Sequence, residues 1–290
     1  MGDSLPVGTW IIRALAHKLY VCGYWPVPGN LKRSGEHYNT LLPQTLQLIR
    51  GEELVFYSSS EEVLCRAQHL CQRSSIRMRP VLRALEDLPA WSLADRLVRC
   101  CGAMQLDQWQ NPRSFGGEKG VIHYWRDYKG AGPDAFRAMH AVWLSKLALV
   151  AEQARQVEHE RLAWMDSTIA RFQGRRSNWR FWLANEDPQK FSHYGSDMRR
   201  FGRLLPLNAS YISGPRLQWL AFQNLFSEKA ELATQMPYGN DEETILSEVI
   251  RDQPHWFQCI GMPYKRLTGC QLMKARLKDR LMAVCSQVHP

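Results

Sequence analysis

No stretch of 18 or more apolar residues occurs in the sequence, so no transmembrane helix is expected. The opening Met1-Gly2-Asp3-Ser4-Leu5-Pro6 has neither the basic region nor the apolar run of a secretory signal. Pro6 also stands where a myristoylation pattern wants Ser or Thr. The expectation is a cytoplasmic protein. There is no Cys-x-x-Cys and no His-x-x-x-His. Cys65 and Cys71 are six apart and Cys100 and Cys101 are adjacent, spacings that do not bring four ligands to a tetrahedral zinc ion. Without a signal, the eight cysteines read as free, mostly buried thiols rather than as a disulfide framework. Internal repeats and low-complexity tracts are missing too. The glycine-rich Phe115-Gly116-Gly117-Glu118-Lys119-Gly120 lacks the strand–turn–helix frame that makes such a loop a phosphate cradle.

What is present suits a packed protein. In 290 residues, 45% hydrophobic and 22% charged, one large domain can bury a sizeable core. Lysine and arginine number 37 against 28 acids, a formal charge of +9, and the excess is unevenly placed. Arg171 to Arg203 holds eight basic residues against Glu186, Asp187 and Asp197, interleaved with aromatics such as Phe172, Trp179, Phe191 and Tyr194. Such a segment suits a polyanion groove with stacking platforms, a sugar-binding surface, or a solvated insertion with a small aromatic core of its own. A second basic cluster, Lys265 to Arg280, falls on a predicted helix from Cys270 to Val284. It is either the exposed face of a terminal helix or a surface for peripheral contact with an anionic membrane.

Periodicity predicts alternating strands and helices: a strand within 16–26, a helix from Ser34 closed by Gly51, a strand over Glu53–Ser58, a helix capped by Ser60 and ending near Arg73, and a strand over Ile76–Val81. That is the wiring of a parallel sheet. Further on come helices from Leu93 to Cys101 and from Pro133 to about Val157, a strand Leu162–Met165, a strand Leu204–Ile212, a helix from Arg216 to about Glu231, and a helix opened by Asn240 or Asp241 and running through Ile250. Lys146 falls on the apolar face of its helix, four residues from Val142 and from Val150. A lysine there either carries its ammonium out to water or meets an anion in a cleft.

Three features carry chemistry. Asp166 follows an apolar strand, where a parallel sheet presents ligands and where a carboxylate can hold a divalent ion. The stretch Asn208-Ala209-Ser210-Tyr211-Ile212-Ser213-Gly214 reads as a strand ending in small residues, which let a substrate approach the backbone. Asp241-Glu242-Glu243-Thr244 opens a helix, where a carboxylate can act as general base on a hydroxyl.

These stretches, with Tyr24-Trp25-Pro26-Val27-Pro28-Gly29-Asn30-Leu31-Lys32, Glu36-His37-Tyr38, Leu54-Val55-Phe56-Tyr57-Ser58 and Trp143-Leu144-Ser145-Lys146, resemble the WlaTC/HtrL group of bacterial glycosyltransferase-like proteins over roughly residues 16–262. That group is similar to the GT-A class of nucleotide-sugar transferases. The resemblance implies an α/β protein, a GT-A-like Rossmann-type mixed sheet flanked by helices. It implies one domain: residues 16–160 as a nucleotide-binding half, 161–262 as an acceptor half with the basic-aromatic segment 171–203 inserted, and 263–290 as a basic terminal helix. The donor would be a nucleotide sugar, bound by Asp166, Lys32, Lys146, Ser213 and Gly214, with a divalent cation (Mn or Mg) at Asp166. Asp241, Glu242 and Glu243 would face the acceptor, one of them, Glu242, as the base if the transfer inverts the anomeric centre, or only positioning the acceptor if it retains configuration. The acceptor would be a saccharide or surface glycan; hydroxymethylated DNA is the alternative substrate, and a non-catalytic binding protein the alternative role. This chain departs from the class at Thr168, where the Asp-x-Asp motif has its second aspartate. With one carboxylate fewer, Lys32, Lys146 or an arginine of the basic segment would neutralise the diphosphate instead.

Overall fold

The computed structural model describes residues 18–30, 33–103, 128, 130–175, 186–196, 199–200, 203–235, 241–261, 273 and 277. In chain order the elements are β1 (Leu19–Gly23), α1 (Gly35–Gln47), β2 (Glu53–Ser58), α2 (Glu61–Arg73), β3 (Arg77–Leu82), α3 (Trp91–Ala103), α4 (Gly130–Ala154), β4 (Arg161–Met165), β5 (Phe191–Tyr194), the short β6 (Arg199–Arg200) and β7 (Arg203–Leu204), β8 (Asn208–Pro215), α5 (Trp219–Ala233), α6 (Glu242–Asp252) and β9 (Phe257–Gly261). Seven strands form one mixed sheet in the order β3-β2-β1-β4-β8-β5-β9. All run parallel except β8, which is antiparallel to β4 and to β5. With six helices flanking it among the described residues, the sheet is Rossmann-like.

The local chemistry explains the elements. Ser34 and Ser60 sit in extended backbone and accept hydrogen bonds from His37 N (3.2 Å) and Val63 N (3.3 Å), which start α1 and α2. Gly51 leaves the first helix region at φ +83°, a conformation that costs side chains with a Cβ. The regular turns of α4 begin at Pro133, because Gly132 before it is non-helical at φ 86°. The inner strands are apolar on both sides, as a doubly covered sheet requires. Tyr20, Cys22, Leu54, Phe56 and Met165 pack with α1 and α2 residues such as Leu46 and Ala67. Leu19, Val21, Val55, Leu162 and Trp164 pack with Leu97, Leu144, Phe222 and Leu246 from α3, α4, α5 and α6. The edge strand β3 carries Pro80 and the charged Arg77 and Arg79, which discourage further strand pairing.

Several expectations are corrected here. The segment 171–203 is not wholly an insertion. Phe191–Tyr194 is β5, inside the main sheet, and Phe172, Phe191 and Tyr194 are buried core residues rather than exposed stacking platforms. Residues 176–185 of that segment lie outside the described residues, as do the glycine-rich stretch 115–120 and the predicted helix 270–284 apart from the exposed Met273 and Leu277. β8 starts at Asn208 rather than Leu204 and runs on to Pro215. Of the cysteines described as free, Cys22 and Cys71 are buried but Cys65 and Cys259 are exposed. Among the described residues no helix is long and apolar enough to cross a membrane.

The reversal of β8 moves Ser213 and Gly214. They pair with Ala163 and Leu162, near the start of β4, at the sheet edge opposite Asp166. Gly214 is small for a packing reason: a Cβ there would lie 2.1 Å from Cδ1 of Phe191, a buried ring held by Trp219 (centroids 5.1 Å apart) and Phe222 (4.5 Å). Gly214→Ala is therefore expected to lower the unfolding free energy by about 1–3 kcal/mol in urea denaturation while leaving any ligand affinity of the protein unchanged. Wild-type stability in this variant would contradict the packing account.

Candidate functional site

Chain direction places a cleft. From β1 the chain passes through α1 to β2 on one side, whereas α4 returns it to β4 on the other side of β1. Where connections diverge in this way, an open α/β sheet leaves a crevice outside the carboxyl ends of its strands. A cleft of about 180 Å³, open to solvent, lies there. Gly23, Tyr24 and Trp25 enter from the end of β1, Asp166, Ser167 and Thr168 from the end of β4, and Asn208 and Ser210 from the start of β8. Arg33 and Tyr38 come from the β1–α1 region, Trp143 and Lys146 from α4, Arg171 from the turn after β4, and Glu242 and Glu243 from α6. The Tyr24 and Tyr38 rings stack at 4.0 Å and 14° along one wall.

Lys146 is the centre of the charge network. It is buried, and its Nζ lies 3.0 Å from Asp166 Oδ1 and 3.1 Å from Glu242 Oε1, and donates to the Ala209 carbonyl at 3.3 Å. Trp164 Nε1 donates to Asp166 Oδ1 at 3.0 Å, and Arg171 lies 3.4 Å from Asp166 Oδ2. Arg171 also donates to Ser210 Oγ and, at 2.9 Å, to Thr168 Oγ1. Arg33 donates to the same Thr168 Oγ1 at 2.8 Å. Among the described residues Arg33 forms no ion pair within 4 Å, although its charge helps lower the pKa of Asp166. Burial pushes the Asp166 carboxyl up, but Lys146 and Arg171 outweigh it and hold the group well below the usual carboxylate range. Burial likewise pushes the Lys146 ammonium down, and Asp166 and Glu242 overcome it, so its pKa is raised. Both groups are charged at neutral pH.

No protein-family model matches this chain, and no curated protein matches its sequence.

The structure brings Asp166, Lys146, Glu242 and Glu243 into one cleft. Asp241 is buried as the N-cap of α6, accepting from the Thr244 backbone N–H at 2.9 Å and the Thr244 hydroxyl at 2.7 Å. Glu243 accepts from Ala209 N at 3.2 Å and Asn208 Nδ2 at 3.4 Å, which fastens α6 to the start of β8. Glu242 is thus the carboxylate of this trio that meets Lys146 across the cleft. Lys32 lies outside the described residues, and Ser213 and Gly214 lie at the far edge. Arg33 was not singled out in the sequence. Its signal was its place, one residue before the Ser34 cap and in the loop that follows β1 at the ligand edge.

The donor set around Asp166 does not fit a divalent cation. Such an ion wants several oxygens free of competing cations. Both Asp166 oxygens already face cations, Glu242 Oε1 is held by the same Lys146 ammonium, and the Thr168 hydroxyl oxygen accepts from two guanidinium groups. Among the described residues no group of three His, Cys, Asp or Glu is placed to hold a metal.

The pKa directions fix a pH window. Asp166, lowered from 3.8, stabilises the fold fully above that value, and the contribution is lost as pH falls toward the lower folded pKa. Lys146, raised from 10.5, contributes fully below that value and loses its effect as pH rises through the higher one. Asp166→Asn should therefore cost about 3–5 kcal/mol, an amount that stays constant from about pH 5 to pH 9 and shrinks below about pH 4. Denaturation series at these pH values check it, and a cost that has vanished by pH 6 would exclude an ionised Asp166 as the source.

Proposed function

We propose that this protein is a glycosyltransferase that moves a sugar from a nucleotide-sugar donor to an acceptor hydroxyl, the acceptor being a saccharide or surface glycan. One observation carries the reading. At the crevice between β1 and β4, Arg33 and Arg171 converge on one threonine oxygen, and among the described residues Arg33 forms no ion pair within 4 Å. Paired guanidinium groups match the oxygens of a diphosphate and stabilise the charge that grows on it as the sugar leaves. Tyr38 and Trp143 supply flat apolar surface for a base or a pyranose ring. The resemblance of the Trp164–Thr168 and Asp241–Leu246 stretches to GT-A-like transferases supports the same assignment, with the sheet as the GT-A-like platform.

In this reading Asp166 holds Arg171 and Lys146 in position rather than touching a metal. Glu242, on the opposite side of Lys146, is the carboxylate assigned to the acceptor hydroxyl. A DNA acceptor is less well supported, because Phe172, Phe191 and Tyr194 of the basic-aromatic segment are core residues.

Thermal-shift measurements with UDP, GDP, CDP and ADP test the donor site. One of these nucleotides is expected to raise the melting temperature of the wild type. Arg33→Gln should weaken that nucleotide about 10- to 100-fold without lowering the melting temperature of the free protein. If no nucleotide shifts the wild type, or if Arg33→Gln binds as tightly, the donor site is wrongly assigned.

A further inference from the structure

We infer that the Lys146 ammonium takes the place that a divalent cation would fill in this cleft, so that the protein works without one. Nζ sits among three oxygens, Asp166 Oδ1 at 3.0 Å, Glu242 Oε1 at 3.1 Å and the Ala209 carbonyl at 3.3 Å. Two carboxylates and a backbone carbonyl are the hard oxygen ligands that manganese, magnesium and calcium select. Here they come from β4, α6 and β8 and converge on an ammonium supplied by α4.

The ammonium is not a visitor to the site. Lys146 is 5% exposed, and its neighbours in sequence, Ser145 and Leu147, are buried as well. Nζ also lies 5.9 Å from the centroid of the Trp164 ring, close enough for a cation–π contact. An ammonium brings one positive charge where the ion would bring two. The remaining charge comes from Arg171, 3.4 Å from the other oxygen of Asp166. Two carboxylates are matched by two cations, and a divalent ion entering the nest would have to displace a buried ammonium held on every side. Thr168, in place of a second aspartate, fits this arrangement, since its hydroxyl accepts from Arg33 and Arg171 instead of ligating an ion.

The consequence for ligand binding rests on the donor-site reading above, but the cation itself can be tested without any nucleotide. Manganese binding is measured by electron paramagnetic resonance on the wild type, on Lys146→Ala, and on Lys146→Met, which keeps the apolar stem; folding is checked by circular dichroism. The wild type should show no site that depends on Asp166. The emptied nest of a folded Lys146 variant should take up manganese at least about tenfold more tightly than the wild type, and adding Asp166→Asn should abolish the gain. Nucleoside diphosphate binding to the wild type should be the same in EDTA as in manganese.

A wild-type manganese site that Asp166→Asn removes would overturn the inference, and this comparison stands even if both lysine variants fail to fold. Folded lysine variants that bind no more manganese than the wild type would also overturn it, as would nucleotide binding that disappears in EDTA. Manganese results as expected, with no nucleotide bound in either medium, would support the ammonium site and remove the donor reading alone.

Discussion

The contact on which the cleft depends is the one between the Lys146 ammonium and the carboxylates of Asp166 and Glu242. Each group explains the presence of the others. Two carboxylates brought together from β4 and α6 would repel, and one would be driven to take up a proton. A lysine this deeply buried would lose its proton or leave for water without an anion beside it. Together they stay charged, and because the three side chains come from three elements, with Ala209 of β8 as a fourth contact, the pairing also sets how those elements meet. A buried ion pair adds little net stability over an apolar contact but costs much if one partner is removed. That asymmetry suits a place where registry matters more than strength.

The opposite edge of the sheet holds a second charge cluster, and the contrast is informative. Glu186 accepts from Lys18 at 2.9 Å, from Arg161 at 2.6 Å, from the Tyr211 hydroxyl at 2.6 Å and from Ser213 at 2.8 Å. Arg161 spends its remaining donors on Ser192 and on the carbonyls of Asp187, Lys190 and Ser213. This cluster is closed on itself and ties β1, β4, β5 and β8 together. None of its members lines the cleft between β1 and β4. The cluster at the carboxyl edge differs in having an open volume beside it and an arginine, Arg33, that forms no ion pair within 4 Å among the described residues. Similar residue types therefore serve cohesion at one edge and offer a surface for an anion at the other.

The alternation of strands and helices through β3 and the caps at Ser34, Ser60 and Asp241 were legible in the sequence, because each rests on local chemistry: apolar period and a side-chain oxygen before a helix. What was not legible depended on direction and on distant partners. Phe191-Ser192-His193-Tyr194 hides as a strand because its two middle residues are polar, yet both are buried, and Ser192 is satisfied by Arg161 from β4. The small residues at Ser213 and Gly214 looked like a ligand approach. The antiparallel pairing of β8 with β4, which no local pattern announces, carries them to the far edge, where Phe191 needs the space. Periodicity put Lys146 on a buried face without naming its partners, which lie on β4 and α6. Arg33 carried only a positional signal.

Thr168 shows how one departure from an expected pattern can belong to the design of a site. An aspartate at this position would face the guanidinium groups of Arg33 and Arg171, both of which reach the threonine oxygen, at 2.8 and 2.9 Å. Its negative charge would pair with Arg33 and cancel the positive charge that makes this wall attractive to an anion. A hydroxyl oxygen accepts the same hydrogen bonds and so orders the two arginines, but it adds no negative charge of its own. In the proposed reading, a hydroxyl rather than a carboxylate at 168, an ammonium at 146 and guanidinium groups at 33 and 171 together favour a polyvalent anion over a cation. The four positions are best understood as a set, since changing any one of them alone would leave either a buried charge unpaired or an anion site neutralised.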